Sequence, residues 1–132
     1  YVSGVFDLFH IGHINMLRKA KEQCDYLIAA VTSDEYVRNH KQRDPFIPFK
    51  ERLEVVRSCK YVDEAVEVPY TVEAFRKYHF DVQFCGSDYL NDPWWLEQQK
   101  YLRQHGADLV FFQYTEQTSS TKIKALIAQK LL

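Results

Sequence analysis

Tyr1-Val2-Ser3-Gly4-Val5-Phe6-Asp7-Leu8-Phe9-His10-Ile11-Gly12-His13 opens the chain, and its reading decides the fold. Tyr1–Val5 consists of β-type residues and runs into a turn between Gly4 and Phe9. From Ile11 onward the apolar positions Ile14, Leu17 and Ala20 recur at helical spacing among Arg18, Lys19, Lys21 and Glu22. A strand passing through a short turn directly into a helix is the first half of a strand–helix–strand unit. Asp25–Thr32 (DYLIAAVT) supplies the second half: a continuous apolar run, as expected of a strand covered on both faces.

The same alternation continues to the end. Ser33 is placed to cap a short helix with Asp34 and Glu35 in its first turn. His40–Pro48 (HKQRDPFIP) is a basic loop broken by two prolines. Phe49–Cys59 has the period of a helix, Val62–Val68 reads as a strand and Val72–Tyr78 as a helix. Asp81–Cys85 is a strand ended by Gly86, and Pro93 opens a helix over Trp94–Gln104 that Gly106 stops. Asp108–Gln113 is the last strand and Ser119–Leu131 the last helix. The pattern predicts an α/β fold, a Rossmann-like parallel sheet with helices on both faces, as one domain over residues 1–132. Right-handed crossovers then place every strand-to-helix loop at one sheet edge, where ligands bind.

The first of those loops carries the chemistry. His10 and His13 stand three apart at a helix start, so both imidazoles project to one side. Gly12 removes the side chain between them and lets a ligand approach the backbone. The helix start adds N–H groups and a partial positive charge, so the sequence predicts an anion site with two donors. Near the other end, Ser119, Ser120 and Thr121 open the last helix with Lys122 beside them. This predicts a second phosphate cradle.

GVFDLFHIGH resembles the GxFDxxHxGH signature of the nucleotidyltransferase family that includes the cytidylyltransferases. Tyr114–Ile123 (YTEQTSSTKI) resembles the same family's second signature, roughly RTxGxSTTKI, with Tyr114 where Arg is common and Gln117 where Gly is common. The resemblance implies attack by an acceptor phosphate oxygen on the α-phosphorus of CTP, with pyrophosphate leaving in line. It also implies roles for particular residues. His10, His13 and Lys41 act on the reacting phosphates, with Arg43 as a helper. Gly4, Val5, Phe6, Gly12, Gly86, Asp88, Thr115, Ser119, Ser120, Thr121 and Lys122 hold the nucleotide. Arg52, in Phe49-Lys50-Glu51-Arg52, reaches it from a helix start. Lys60 and Asp63, in a segment resembling RYVDE, lie near the acceptor and a subunit contact. Mg²⁺ arrives with the triphosphate, and no dedicated metal site is expected. The expected partners are CTP and a small phosphate acceptor, glycerol 3-phosphate first. Phosphocholine, phosphoethanolamine or a heptose phosphate with ATP are the alternatives, and the chain is expected to be a homodimer. A nucleotide-binding module without turnover is the reading from another class, favoured by Tyr114 and Gln117.

Composition bounds these expectations. Seventeen Lys+Arg against eighteen Asp+Glu give a net charge of -1, which argues against a polyanion or anionic-membrane binder. No nucleic-acid or membrane partner is expected. Cys24, Cys59 and Cys85 are widely spaced without a CxxC and read as small buried hydrophobes. With no signal peptide pattern and no 18-residue apolar run, a cytoplasmic location is expected. The chain opens on Tyr1 rather than Met, which leaves room for a preceding segment. His40, His79 and His105 read as surface or core-edge residues. Trp94 and Trp95 are expected to pack a helix or an interface.

Overall fold

The computed structural model describes residues 1–113 and 120–131, with Ser120 and Leu131 described by their backbone alone. In chain order the elements are β1 (Val2–Gly4), α1 (Ile11–Glu22), β2 (Ile28–Val31), α2 (Asp34–Lys41), α3 (Phe49–Arg57) and β3 (Glu64–Glu67). Then follow α4 (Thr71–Tyr78), β4 (Val82–Gly86), α5 (Pro93–Gln104), β5 (Asp108–Phe112) and α6 (Ser120–Leu131). The five strands pair in parallel in the order β3-β2-β1-β4-β5. The order reverses between β1 and β4, which puts the ligand crevice over the carboxyl end of β1. The predicted parallel α/β sheet is therefore observed, with most strand boundaries drawn in by one to three residues, β5 starting as expected at Asp108 and β4 running one residue further, to Gly86.

Both sheet faces are covered, and β2 shows how. Ala29 and Val31 pack with Val2, Leu17, Ala20 and Val56 under α1 and α3. Ile28 and Ala30 pack with Ala74, Leu102 and Leu109 under α4 and α5. All four β2 residues are buried, so the strand has no polar face to show as an alternation. Leu17, Leu102 and Leu109 are among the fully buried side chains; burying each contributes roughly 1.5–3 kcal/mol. Cys85 is buried, and burial pushes its thiol up to about 12, so it is inert. Cys24 and Cys59 are only half-buried, a correction to the expectation that all three cysteines are interior.

The loops at the carboxyl edge are fastened by Arg52. Its side chain is 1% exposed. Nε donates to Ile47 O at 2.8 Å, and one terminal nitrogen donates to Val5 O and Thr32 O at 2.6 and 2.7 Å. The other terminal nitrogen pairs with Asp34 at 2.6 Å. Burial alone would raise the Asp34 carboxyl, but the Phe49 N–H and the Arg52 guanidinium outweigh it and hold it below its usual range. The guanidinium thus ties the ends of β1 and β2 to the loop before α3. Its nitrogens are engaged by three backbone carbonyls and the Asp34 carboxylate, and it is not among the residues that line the crevice, where a nucleotide-contacting Arg52 was expected. Lysine cannot reproduce this fork. Arg52→Lys is expected to cost about 3 kcal/mol of stability, the scale of breaking a buried charge network. Urea denaturation measures it, and an unchanged midpoint would remove Arg52 from this role.

Candidate active site

A cavity of about 890 Å³ opens over the carboxyl edge. Residues at or just past the end of every strand line it, so the sheet itself defines its floor. Its centre is the turn after β1, where Gly4, Val5, Phe6, His10, Gly12 and His13 all face the cavity. Gly4 lies close under the Phe6 ring: a Cβ there would meet it at 3.2 Å, tighter than usual, so the ring would have to yield slightly. Phe6 and Leu8 hold left-handed conformations, with φ of 54° and 51°. Such residues cost on the order of 1–2 kcal/mol each and persist only where surroundings impose them.

What imposes them is Asp7, the residue between. It is 2% exposed, and its carboxylate accepts the Phe46 N–H at 2.9 Å and the Ile47 N–H at 3.0 Å. It also pairs with Lys124 Nζ of α6 at 3.1 Å. Burial raises the Asp7 carboxyl, but these donors outweigh it and keep it below the usual carboxylate range. The sequence reading quoted Asp7 within its motif and gave it no role.

The two histidines are locked by backbone N–H groups of their own turn. His10 Nδ1 accepts the Gly12 N–H at 3.0 Å, and His13 Nδ1 accepts the His10 N–H at 3.2 Å. A backbone N–H can only donate, so each Nδ1 presents a lone pair and each neutral ring carries its proton on Nε2. Burial lowers both basicities; His13, also facing the charge of His10, is pushed down to about 4. The rings lie 3.9 Å apart between centroids, and Phe9 stacks on His13 at 5.4 Å. The site therefore presents two neutral, oriented Nε2–H donors at neutral pH. The Gly12 N–H that the sequence reading offered to a ligand is spent on His10.

Two arms leave this centre. On the β2–β3 side the wall is Thr32, Tyr36, His40, Lys41, Tyr70 and Glu73. His40 stacks on Tyr36 at 3.8 Å, and Tyr36 meets Tyr70 edge-on at 5.9 Å. On the β4–β5 side the wall is Gly86, Asp88, Tyr89, Trp94, Trp95 and Gln113, with Thr121 of α6. Lys41 thus reaches the cavity as expected, as do Gly86, Asp88 and Thr121. His40, exposed as expected, stands on the cavity wall, and so do both tryptophans, which meet edge-on at 4.8 Å while Trp95 also packs against the core as expected. Lys122 is exposed and not part of the wall. Thr115 and Ser119, like Tyr114 and Gln117, lie outside the described residues, and so does the side chain of Ser120.

Lys60 and Asp63 do not join the site. Asp63 accepts from Lys21 and from the Leu27 N–H, which precedes β2 at the opposite, amino edge of the sheet. Lys60 lies over the Tyr61 ring beside a separate hollow of about 460 Å³ between α1 and α3. Strand direction explains this: Asp63 stands just before β3, at the amino edge, whereas the cavity lies past the carboxyl ends of the strands. Tyr70 and Glu73 follow β3, and Pro69 before Tyr70 was the signal in the sequence.

Comparison with known proteins agrees with this geometry. Residues 1–126 match the model of the cytidylyltransferase-like family. The chain belongs to that family. It is a nucleotidyltransferase by that membership. An FAD synthase of Thermococcus kodakarensis is 36% identical over 96% of this chain and 87% of that protein. The glycerol-3-phosphate cytidylyltransferase of Bacillus subtilis is 31% identical over 95% of this chain and 93% of that protein. The ethanolamine-phosphate cytidylyltransferase of Dictyostelium discoideum is 41% identical over 64% of this chain and 24% of that protein. Among solved structures, a lipopolysaccharide core biosynthesis protein of Thermoplasma volcanium superposes with TM-score 0.73 at 25% identity, over 89% of this chain and 95% of that one.

The imidazole lock has a pH signature. The folded protein keeps His13 unprotonated down to about pH 4, whereas an unfolded histidine takes a proton near pH 6.5. Between these values the unfolded state binds more protons, so stability falls as pH falls through that window. Thermal unfolding should show a midpoint lower by about 5 °C at pH 5 than at pH 7. His13→Asn, whose side-chain oxygen can still accept the His10 N–H, should lose much of that dependence. An identical slope in this variant would exclude His13 as its source.

Proposed function

We propose that this enzyme transfers a cytidylyl group from CTP to glycerol 3-phosphate, giving CDP-glycerol and pyrophosphate for teichoic acid or capsule synthesis. The carrying observation is the pair of Nε2–H donors where two arms of one cavity meet. A displacement at phosphorus needs that layout, with nucleotide on one side, acceptor phosphate on the other and charge stabilisation between. An acceptor oxygen bonds to the α-phosphorus while its bond to the β-phosphate bridging oxygen breaks. His10 and His13 donate to the oxygens on which charge grows, and Lys41 neutralises the phosphates from the rim. The β4–β5 arm takes base and ribose, with Gly86 and Asp88 in the roles their motif implies. The β2–β3 arm takes the acceptor, whose hydroxyls find a hydrogen-bond acceptor in Glu73.

Likeness across nearly the whole chain to glycerol-3-phosphate cytidylyltransferases of Bacillus subtilis and Staphylococcus aureus supports the acceptor, as does the TEQTSSTKI ending. Among the described residues no three His, Cys, Asp or Glu side chains converge on a metal-sized site. The cavity carboxylates Asp88 and Glu73 stand on different arms. Mg²⁺, which would screen the triphosphate, therefore fits as an ion held by phosphate oxygens and water. No helix among the described residues is long and apolar enough to cross a membrane.

A second reading is adenylyl transfer to FMN. The higher identity to FAD synthases favours it, and so do the flat faces of Tyr36 and Tyr70, on which a tricyclic ring would stack. Pyrophosphate release separates the readings when four nucleoside triphosphates are crossed with glycerol 3-phosphate, phosphocholine, phosphoethanolamine, a heptose phosphate and FMN. CTP with glycerol 3-phosphate should dominate; dominance of ATP with FMN would replace the proposal by the second reading. With the productive pair, His10→Ala or His13→Ala should each lower kcat about 10²-fold. CTP affinity should fall less than turnover, because these contacts tighten in the transition state. Near-normal turnover would remove the histidines from the mechanism.

A further inference from the structure

Lys124 lies outside both sequence signatures and outside the cavity wall, yet it sits among the charges of Asp7, Lys41 and Arg43. Its side chain is 17% exposed, its Nζ is 3.1 Å from Asp7 Oδ2, and it lies 5.4 Å from the centre of the Phe46 ring. Close by stands Lys41, the last residue of α2, whose side chain lines the cavity. Among the described residues Lys41 makes no hydrogen bond and no ion pair. Three charged groups face it: Asp7 of the β1 turn attracts its ammonium, while Lys124 of α6 and Arg43 of the following loop repel it. Burial is the larger influence and, like the two cations, disfavours its charged form.

A buried carboxylate with an unpaired ammonium in its field captures it unless another cation already holds the position. Asp7 has two of its acceptor positions taken by the Phe46 and Ile47 N–H groups, and Lys124 takes a third. We infer that Lys124 is a positioning residue. As the standing counter-ion of Asp7 it denies that carboxylate to Lys41 and leaves the Lys41 ammonium free for the reacting phosphates. The inference rests on the reading of Lys41 as a phosphate ligand. It also explains why α6 is fastened to the histidine turn by a charge pair rather than by apolar packing alone. A neutral residue at position 124 would serve as well for packing against Phe46, but it would expose Asp7 to Lys41.

The test compares wild type with Lys124→Met, Lys124→Gln, Lys124→Arg and Lys41→Met. Titration of ¹³C-labelled lysine side chains by NMR follows the Lys41 ammonium directly and needs no turnover. Loss of Lys124 removes a repelling charge and uncovers an attracting one, so the Lys41 midpoint should rise in both neutral variants. In Lys124→Arg it should stay near wild type. Where pyrophosphate release is measured, the neutral variants should raise KM for the triphosphate about tenfold and change kcat less than threefold. Lys124→Arg should keep the wild-type KM. An unmoved or lowered Lys41 midpoint in folded Lys124→Met and Lys124→Gln overturns the inference, as does a rise equally large in Lys124→Arg. Full activity in Lys41→Met would instead overturn the reading of Lys41, and the titration would still decide what Lys124 does to it.

Discussion

The architecture of the active site depends on one buried carboxylate. Asp7 is flanked by two left-handed residues, a conformation the chain would not choose, and it holds three donors from two distant segments. The Phe46 and Ile47 N–H groups belong to the loop after α2, and Lys124 belongs to α6. Without those bonds the turn has no reason to keep Phe6 and Leu8 strained, and the loop has no reason to lie against it. The strain at the turn is thus compensated by fastening a proline-broken loop and α6 onto the central strand. Arg52 performs the matching task from beneath, tying the same loop to the ends of β1 and β2.

This double fastening gives the histidines their chemistry. His10 is both a residue of the turn and the cap of α1, so the geometry of the turn sets the first bonds of the helix. Because each Nδ1 is occupied by a backbone N–H, the tautomer follows from the fold and needs no further side chain to orient it. Burial then keeps both rings neutral. The result is a donor pair that costs no rearrangement when negative charge develops on a phosphate.

The fold was legible in the sequence because the evidence for it is periodic. DYLIAAVT is apolar throughout, since β2 is covered on both faces, and the capping signals Ser33 and Pro93 fall where α2 and α5 begin. The heart of the site was legible for a different reason: Gly4, Gly12, His10 and His13 are close in sequence as well as in space. What failed was whatever depended on long-range contact. Arg52 resembles a nucleotide-contacting arginine by its local motif, yet its charge is paired with Asp34, 18 residues away in sequence, and it donates to the backbone at Val5, 47 residues away. Lys60 and Asp63 were assigned to the acceptor from a local motif, although they precede β3 and so stand at the wrong edge. Asp7 and Lys124 are separated by nearly the whole chain, and no local pattern connects them.

The near-neutral composition also acquires a structural meaning. The chain handles a triphosphate with few charges because the fold decides which of them are available. Of the cations near the site, Arg52 is engaged by backbone carbonyls and Asp34, and Lys124 by Asp7, while Lys41 is held beside the cavity in an environment that disfavours its charged form. Availability, rather than number, is the quantity under control. In the proposed mechanism the chemistry of transfer resides in the β1 turn and Lys41, which no acceptor needs to alter. The two arms can differ in their aromatic and acidic residues without disturbing it. A family that shares this turn can for that reason include FAD synthases and cytidylyltransferases acting on different acceptors.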